Sequence, residues 1–344
     1  MRFIRTAAAL LPAFFLLACG GGGGGGDGGG TNSPTAAAVT ITESNAMAVS
    51  AEAVGSVSNT ESAQAGAGLA AGVQVDPASG GGNGATRKLA QSLRAVASLA
   101  RPTAGVATGV AVDQTEACPA GGTLRTSGSI SNPEAGFTAG DSISTVADNC
   151  RFDDGAGGIA MTINGSFSLT VHSGTLGGMP PFNVSFSISM RNYSVSDGTE
   201  TIVFNGDSRF DWVANSDTDQ TITVSGSAFA SAAGDRPVVW KNYRQTLVVN
   251  GLAASSDLDA TVETTNPRVG AGTVSYVITT TTPLAMDGSG RITAGRITVT
   301  GANNSAVVLA VTAPDTFSVQ IDTNGDGGYE KTQTVTLAEL QAQL

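Results

Sequence analysis

Residues 159–171 read IAMTINGSFSLTV, and how they are read decides the fold. Ile159, Met161, Ile163, Phe167, Leu169 and Val171 share one parity, and Gly165 holds the remaining odd position. A period of two is the pattern of an antiparallel strand with one dry face and one wet face. Asn164-Gly165 in the middle is also a strong two-residue hairpin signal, so two readings compete. A turn there would set Ile163 opposite Ser166 and Met161 opposite Ser168, and directly opposed residues share a face. Both faces would then be mixed. An unbroken strand keeps the six apolar side chains together and needs only a glycine kink or bulge. At Asn205-Gly206 a turn would pair Phe204 with Asp207 and Ile202 with Arg209, so that stretch also reads as one long strand.

The same alternation recurs in Phe182, Val184, Phe186, Ile188 and Met190, and in Ile202, Phe204, Phe210 and Trp212. It returns in Val274, Tyr276 and Ile278, and in Val307, Leu309 and Val311. Turns are expected at Ser173 to Pro181, Ser196 to Thr199, Ala233 to Asp235, Asp287 to Gly290 and Gly301 to Ser305. The expected fold is mainly β: a large antiparallel meander that curls, forms an open barrel or stacks as a sandwich. It spans residues 106–344. Residues 39–105 are Ala- and Gly-rich and partly helical. One helix starts at Thr42 to Asn45, and a second runs from Arg87 to Ala100 with Leu89, Leu93, Val96 and Ala100 on one face.

The N-terminal end points to a compartment. Arg2 and Arg5 precede an apolar run from Ala7 to Ala18, too short to span a bilayer, which needs about 20 residues. It reads as a secretory signal over residues 1–18. The box Leu16-Leu17-Ala18-Cys19 resembles that of bacterial lipoproteins, a resemblance confined to about the first 20 residues. It implies lipidation of Cys19, cleavage before it, and, with Gly20 next, outer-membrane sorting in a Gram-negative cell. More than one acyl chain makes such anchoring stable. The glycine-rich residues 19–38 form a flexible tether of roughly 25 Å mean span.

With Cys19 given to lipid, Cys118 and Cys150 remain as an even pair in an oxidising compartment, so a disulfide is expected. Two thiolates and the chain's one histidine cannot fill a zinc tetrahedron. The chain carries 17 basic against 28 acidic residues, which excludes the basic patch of a nucleic-acid binder and any polybasic lipid cluster. Strand-rich chains with this tether, with ITVTGANNSAVVLAV (297–311) and FSVQIDTNGDGGYEKTQTVTLAEL (317–340), resemble a group of uncharacterised bacterial lipoproteins. The likeness carries no activity with it.

Catalytic patterns are thin. Gly140-Asp141-Ser142 and Gly206-Asp207-Ser208 resemble the nucleophile block of GDS-type esterases, which need a C-terminal histidine as base. The single histidine, His172, ends a strand and reads as a surface residue. Asp153-Asp154 or Asp257 with Asp259 would supply a hydrolase's two carboxylates. Trp212, Trp240, Phe210 and Tyr243 would supply a sugar-stacking platform, although core aromatics are the plainer reading. The best chemical signal is Asp322-Thr323-Asn324-Gly325-Asp326-Gly327, the first half of a calcium loop. Asp322, Asn324 and Asp326 would be ligands, with Glu330 replacing the acidic residue missing at Gln333. A plain hairpin loop is the alternative.

No catalytic residue is assigned. The expected function is a structural, adhesive or surface-display module of the cell envelope, with the membrane as partner through its lipid. The alternative is a binder of an apolar or glycan ligand in a barrel or cleft, and a carboxylate-based hydrolase comes last.

Overall fold

The computed structural model describes residues 36–57, 89, 92, 110–131, 137–153, 159–176, 180–233 and 236–344. The expected signal segment, Cys19, most of the expected tether, Asp154 and all of the second expected helix except Leu89 and Ser92 lie outside them.

The alternating sequence forms long strands. After a two-residue β1 (Ala37–Ala38) come β2 (Val110–Ala117), β3 (Thr123–Ile130), β4 (Phe137–Thr138) and β5 (Ser142–Asp153). The middle holds β6 (Ile159–Ser173), β7 (Thr175–Leu176), β8 (Phe182–Ser196), β9 (Thr201–Ser216), β10 (Asp219–Ala233) and β11 (Arg236–Asn250). The chain ends through β12 (Ala253–Thr264), β13 (Val274–Met286), β14 (Ile292–Thr300), β15 (Ala306–Ala313), β16 (Thr316–Asp322), β17 (Lys331–Thr336) and a final helical turn. From β2 to β17 each strand pairs antiparallel with the next, apart from β4 and β7, which pair with each other. With β1 lying parallel on β13 the sheet has 15 strands, and among the described residues no pairing closes it.

β6 and β9 run straight through Asn164-Gly165 and Asn205-Gly206. Ile163, Phe167, Leu169 and Val171 are buried together, while Thr162, Ser166 and Ser168 are partly exposed. The bulges, however, lie on the strands beside the glycines. β5 carries one extra residue between Ala147 and Cys150, and β8 one between Met190 and Tyr193. At each bulge an asparagine adopts a positive φ, Asn149 at 49° and Asn192 at 49°, a conformation that asparagine tolerates better than most residues. Asn149 N donates to Asn164 Oδ1 and Asn192 N to Asn205 Oδ1, each at 2.7 Å. The backbone N–H freed by each bulge is therefore satisfied by the Asn of the next Asn-Gly pair. Asn242, φ 47°, marks a third bulge, in β11. Parity switches at these sites, so Met190 and Tyr193, or Trp240 and Tyr243, face the same interior.

That interior is continuous from Leu124 on β3 to Val335 on β17. It is rich in aromatic pairs: Phe186 and Phe210 stack with centroids 4.8 Å apart, and Trp212 meets Phe182 edge-on at 5.1 Å. A helix at residues 46–57, here α1, completes it. Ala46, Ala48, Val49, Ala51, Ala53, Val54 and Val57 are all buried, so nearly the whole circumference of the helix is covered. Alanine and valine keep the helix slim enough for the concave side of the curled sheet. Its one carboxylate inside, Glu52, accepts from Tyr276 Oη (2.7 Å), Asn266 Nδ2 (2.8 Å) and Thr264 Oγ1 (3.1 Å). Burial, and then the Glu52 charge, push the Tyr276 hydroxyl's pKa far up, so it stays a donor. Leu89 and Ser92 are also helical and buried, and Tyr193 Oη donates to Ser92 Oγ at 3.1 Å.

Cys118 and Cys150 are joined, with Cα atoms 5.4 Å apart and both side chains buried. The bond spans from the end of β2, past β3, to the β5 bulge. Backbone bonds Ala120 N to Arg151 O and Arg151 N to Gly121 O hold the same corner.

Candidate functional sites

The acidic loop joins β16 to β17. Asp322 is almost completely buried, and its two carboxylate oxygens accept from Gly325 N (2.6 Å) and Gly327 N (2.8 Å). Gly325 has φ 77°, and a β-carbon on it would lie 2.1 Å from Asn303 O, so the loop packs tightly on the β14–β15 connection. Glu330 returns to accept from Thr323 N at 2.7 Å. Asp322, Asp326 and Glu330 each offer an oxygen within 4.8 Å of the others. Ligands at about 2.3–2.6 Å from one calcium ion stand up to about 5.2 Å apart, so this spacing fits a shared ion. Asn324 is differently placed. Its Oδ1 accepts from Asp326 N and its amide donates to Asp326 Oδ2, so it stabilises the turn beside the three carboxylates.

The esterase look-alikes are occupied by the fold. Asp141 is buried and accepts from Ser131 N (2.7 Å), Thr138 N (2.7 Å) and both their hydroxyls. Desolvation works to raise its pKa, but those donors outweigh it and hold the carboxyl below the usual range. Asp207 and Ser208 point to opposite faces of β9. The Asp207 carboxylate takes both its Arg191 bonds on the outside, at 2.9 and 3.0 Å. Ser208 lies inside, 2.5 Å from Tyr243 Oη, whose pKa burial pushes up to about 12. His172 is exposed on β6 with Nε2 2.6 Å from Ser187 Oγ.

Asp257 accepts from Thr246 N, and Asp259 and Asp153 are exposed. Phe210, Trp212, Trp240 and Tyr243 are 1–6% exposed, so they build the interior and offer no stacking surface. The plainer reading of those aromatics is the observed one, because all four fall on the inward parity of their strands.

No protein-family model, curated protein or solved structure matches this chain.

The concavity that stands out is on the outer face, beside Asp207 of the second esterase look-alike. It is a trough of about 390 Å³ over β6, β8, β9 and β10. Ser168 and Thr170, Ser187 and Ser189, and Ser225 and Ser227 line it, together with Asp207 and Arg209. The β9–β10 pairing breaks between Ser225 and Phe229, and the resulting bend hollows the face. Gly226 sits in that break, and a β-carbon on it would lie 2.6 Å from Tyr243 Oη. The outward serines are visible in the sequence as the alternate partners of the apolar residues. Only the cross-strand register shows that they line up.

Proposed function

We propose that this chain is a cell-envelope lipoprotein whose β unit serves as a structural, adhesive or surface-display module, held off the outer membrane by its glycine tether. The observation that best supports the display reading is the filling of the inner face. Helix α1 occupies the concave side of the sheet, where a lipid-binding barrel would keep a lumen. The buried polar groups of the catalytic look-alikes are likewise spent on holding loops and strands. The anchor rests on the Leu16–Cys19 box and the apolar run before it. Cys19→Ser is expected to move the chain from the membrane fraction to the soluble one. Wild-type chain that incorporates no labelled palmitate would overturn the anchor.

A calcium ion at the β16–β17 loop is a separate proposal, favoured by the convergence of Asp322, Asp326 and Glu330. With three carboxylates and no bidentate group at Gln333, the affinity expected is that of extracellular modules, about 10⁻⁴–10⁻³ M. Asp326→Ala should lower the melting temperature by a few degrees in millimolar calcium and leave it unchanged in chelator. Wild-type melting curves that coincide with and without calcium would reduce the loop to a hairpin turn.

A further inference from the structure

Register turns the outward serines into two rows that cross the sheet. One row runs Ser127, Ser144, Ser168 and Ser189 over β3, β5, β6 and β8, and ends at Asp207 on β9. The second runs Ser129, Ser142, Thr170 and Ser187 over the same strands, and ends at Arg209. All eight hydroxyl side chains are partly or fully exposed. Neighbours within a row stand about 4.8 Å apart, and the two rows are separated by two residues, about 6.8 Å along each strand. The rows lead into the 390 Å³ trough. We propose that this face binds a neutral glycan chain laid across the strands, with one end seated in the trough.

Each serine or threonine hydroxyl offers one donor and two acceptor lone pairs, the same inventory as a sugar hydroxyl. An extended sugar polymer repeats at close to the interstrand distance, so successive sugars meet successive strands. Charge selects against acidic polymers. Arg191 is paired with Asp207 at 2.9 Å and Arg209 with Asp211 at 3.5 Å, which leaves the trough balanced. The whole chain carries a net charge of −11, so a polyanion is repelled before it docks. The contact is hydroxyl to hydroxyl without aromatic stacking, and affinity must come from many weak bonds in register. Binding should therefore rise with polymer length.

The test is affinity electrophoresis of the full chain through gels containing hydroxyethylcellulose, dextran or polygalacturonate, with hexasaccharides and disaccharides as soluble competitors. At least one neutral polymer is expected to retard the wild type, and its hexasaccharide should compete at least 10-fold better than its disaccharide. Ser168→Val with Ser189→Val, two β-favouring replacements, should weaken retardation at least 10-fold. Ser189→Ala should weaken it less, and Thr298→Val, on a distant part of the outer face, should not change it. A matching melting curve establishes that each variant is folded, and Ser189→Ala keeps the test open if the double variant is not. Absence of retardation by both neutral polymers, retardation unaltered by the serine changes, or stronger retardation by polygalacturonate would each overturn the proposal. The lipid anchor is independent of this result, since a soluble Cys19→Ser chain would carry the same face.

Discussion

Alanine at Gly165 is expected to cost at least about 3 kcal/mol of folding stability, well beyond the usual effect of a surface-strand substitution. Two penalties coincide there. Gly165 has φ 90°, where an L side chain is strained by about 1–2 kcal/mol. A β-carbon would also sit 2.1 Å from the Asn192 carbonyl oxygen across the β6–β8 pairing. Backbone cannot swing aside as a side chain can, so β6 and β8 would have to part. Gly198, in the β8–β9 turn, separates the two terms: its φ is 85°, yet nothing lies within 4 Å of the β-carbon position. Gly198→Ala should cost only about 1–2 kcal/mol. Urea midpoints for the two variants decide the matter, and equal losses would remove the close approach as a cause.

Loss of the Cys118–Cys150 bond is expected to cost about 3–4 kcal/mol, the loop-closure entropy for a separation of 32 residues. The double change Cys118→Ser and Cys150→Ser isolates this better than reduction, because no thiolate is created in the buried site. The corner formed by Ala120, Gly121 and Arg151 should loosen first, exposing the β2 edge. Hydrogen exchange that is faster at 110–125 than at 274–321 would show this local opening. A double variant within about 1 kcal/mol of wild type would mean that the backbone bonds alone hold the corner.

The strands themselves were legible because an apolar residue at every second position admits one arrangement with a dry side. Apolar parity across Asn164-Gly165 and Asn205-Gly206 favours continuous strands, and both strands are continuous. What the pattern concealed was where the irregularity sits. The extra residues belong to Asp148-Asn149-Cys150 and Arg191-Asn192-Tyr193, each followed 15 or 13 positions later by its Asn-Gly partner. Lys241-Asn242-Tyr243 repeats the triplet, a recurrence that an alternation count passes over. Among candidate site residues, Asp322, Asp326 and Glu330 stand at a spacing that the loop brings together, while the Asn324 side chain bonds to Asp326 within the loop. The two serine rows could not be read from one strand at a time. Their alignment depends on register across four strands and on two bulges between them.

The burial of α1 also sets an order of events. Its contacts lie very far along the chain: Glu52 meets Tyr276 across 224 residues, and in the segment just before the helix Ile41 N donates to Ser305 Oγ across 264. The meander is the opposite, since each hairpin closes on its immediate neighbour and can form with little loop-closure entropy. A twelve-residue helix is marginal in water by itself. The first described part of the polypeptide to be made is thus the last to find its place. Until β13 and the β14–β15 connection exist, the alanine-rich stretch has nowhere to dock and the inner aromatics stay open to solvent. That interval is when the nascent chain is most prone to aggregate.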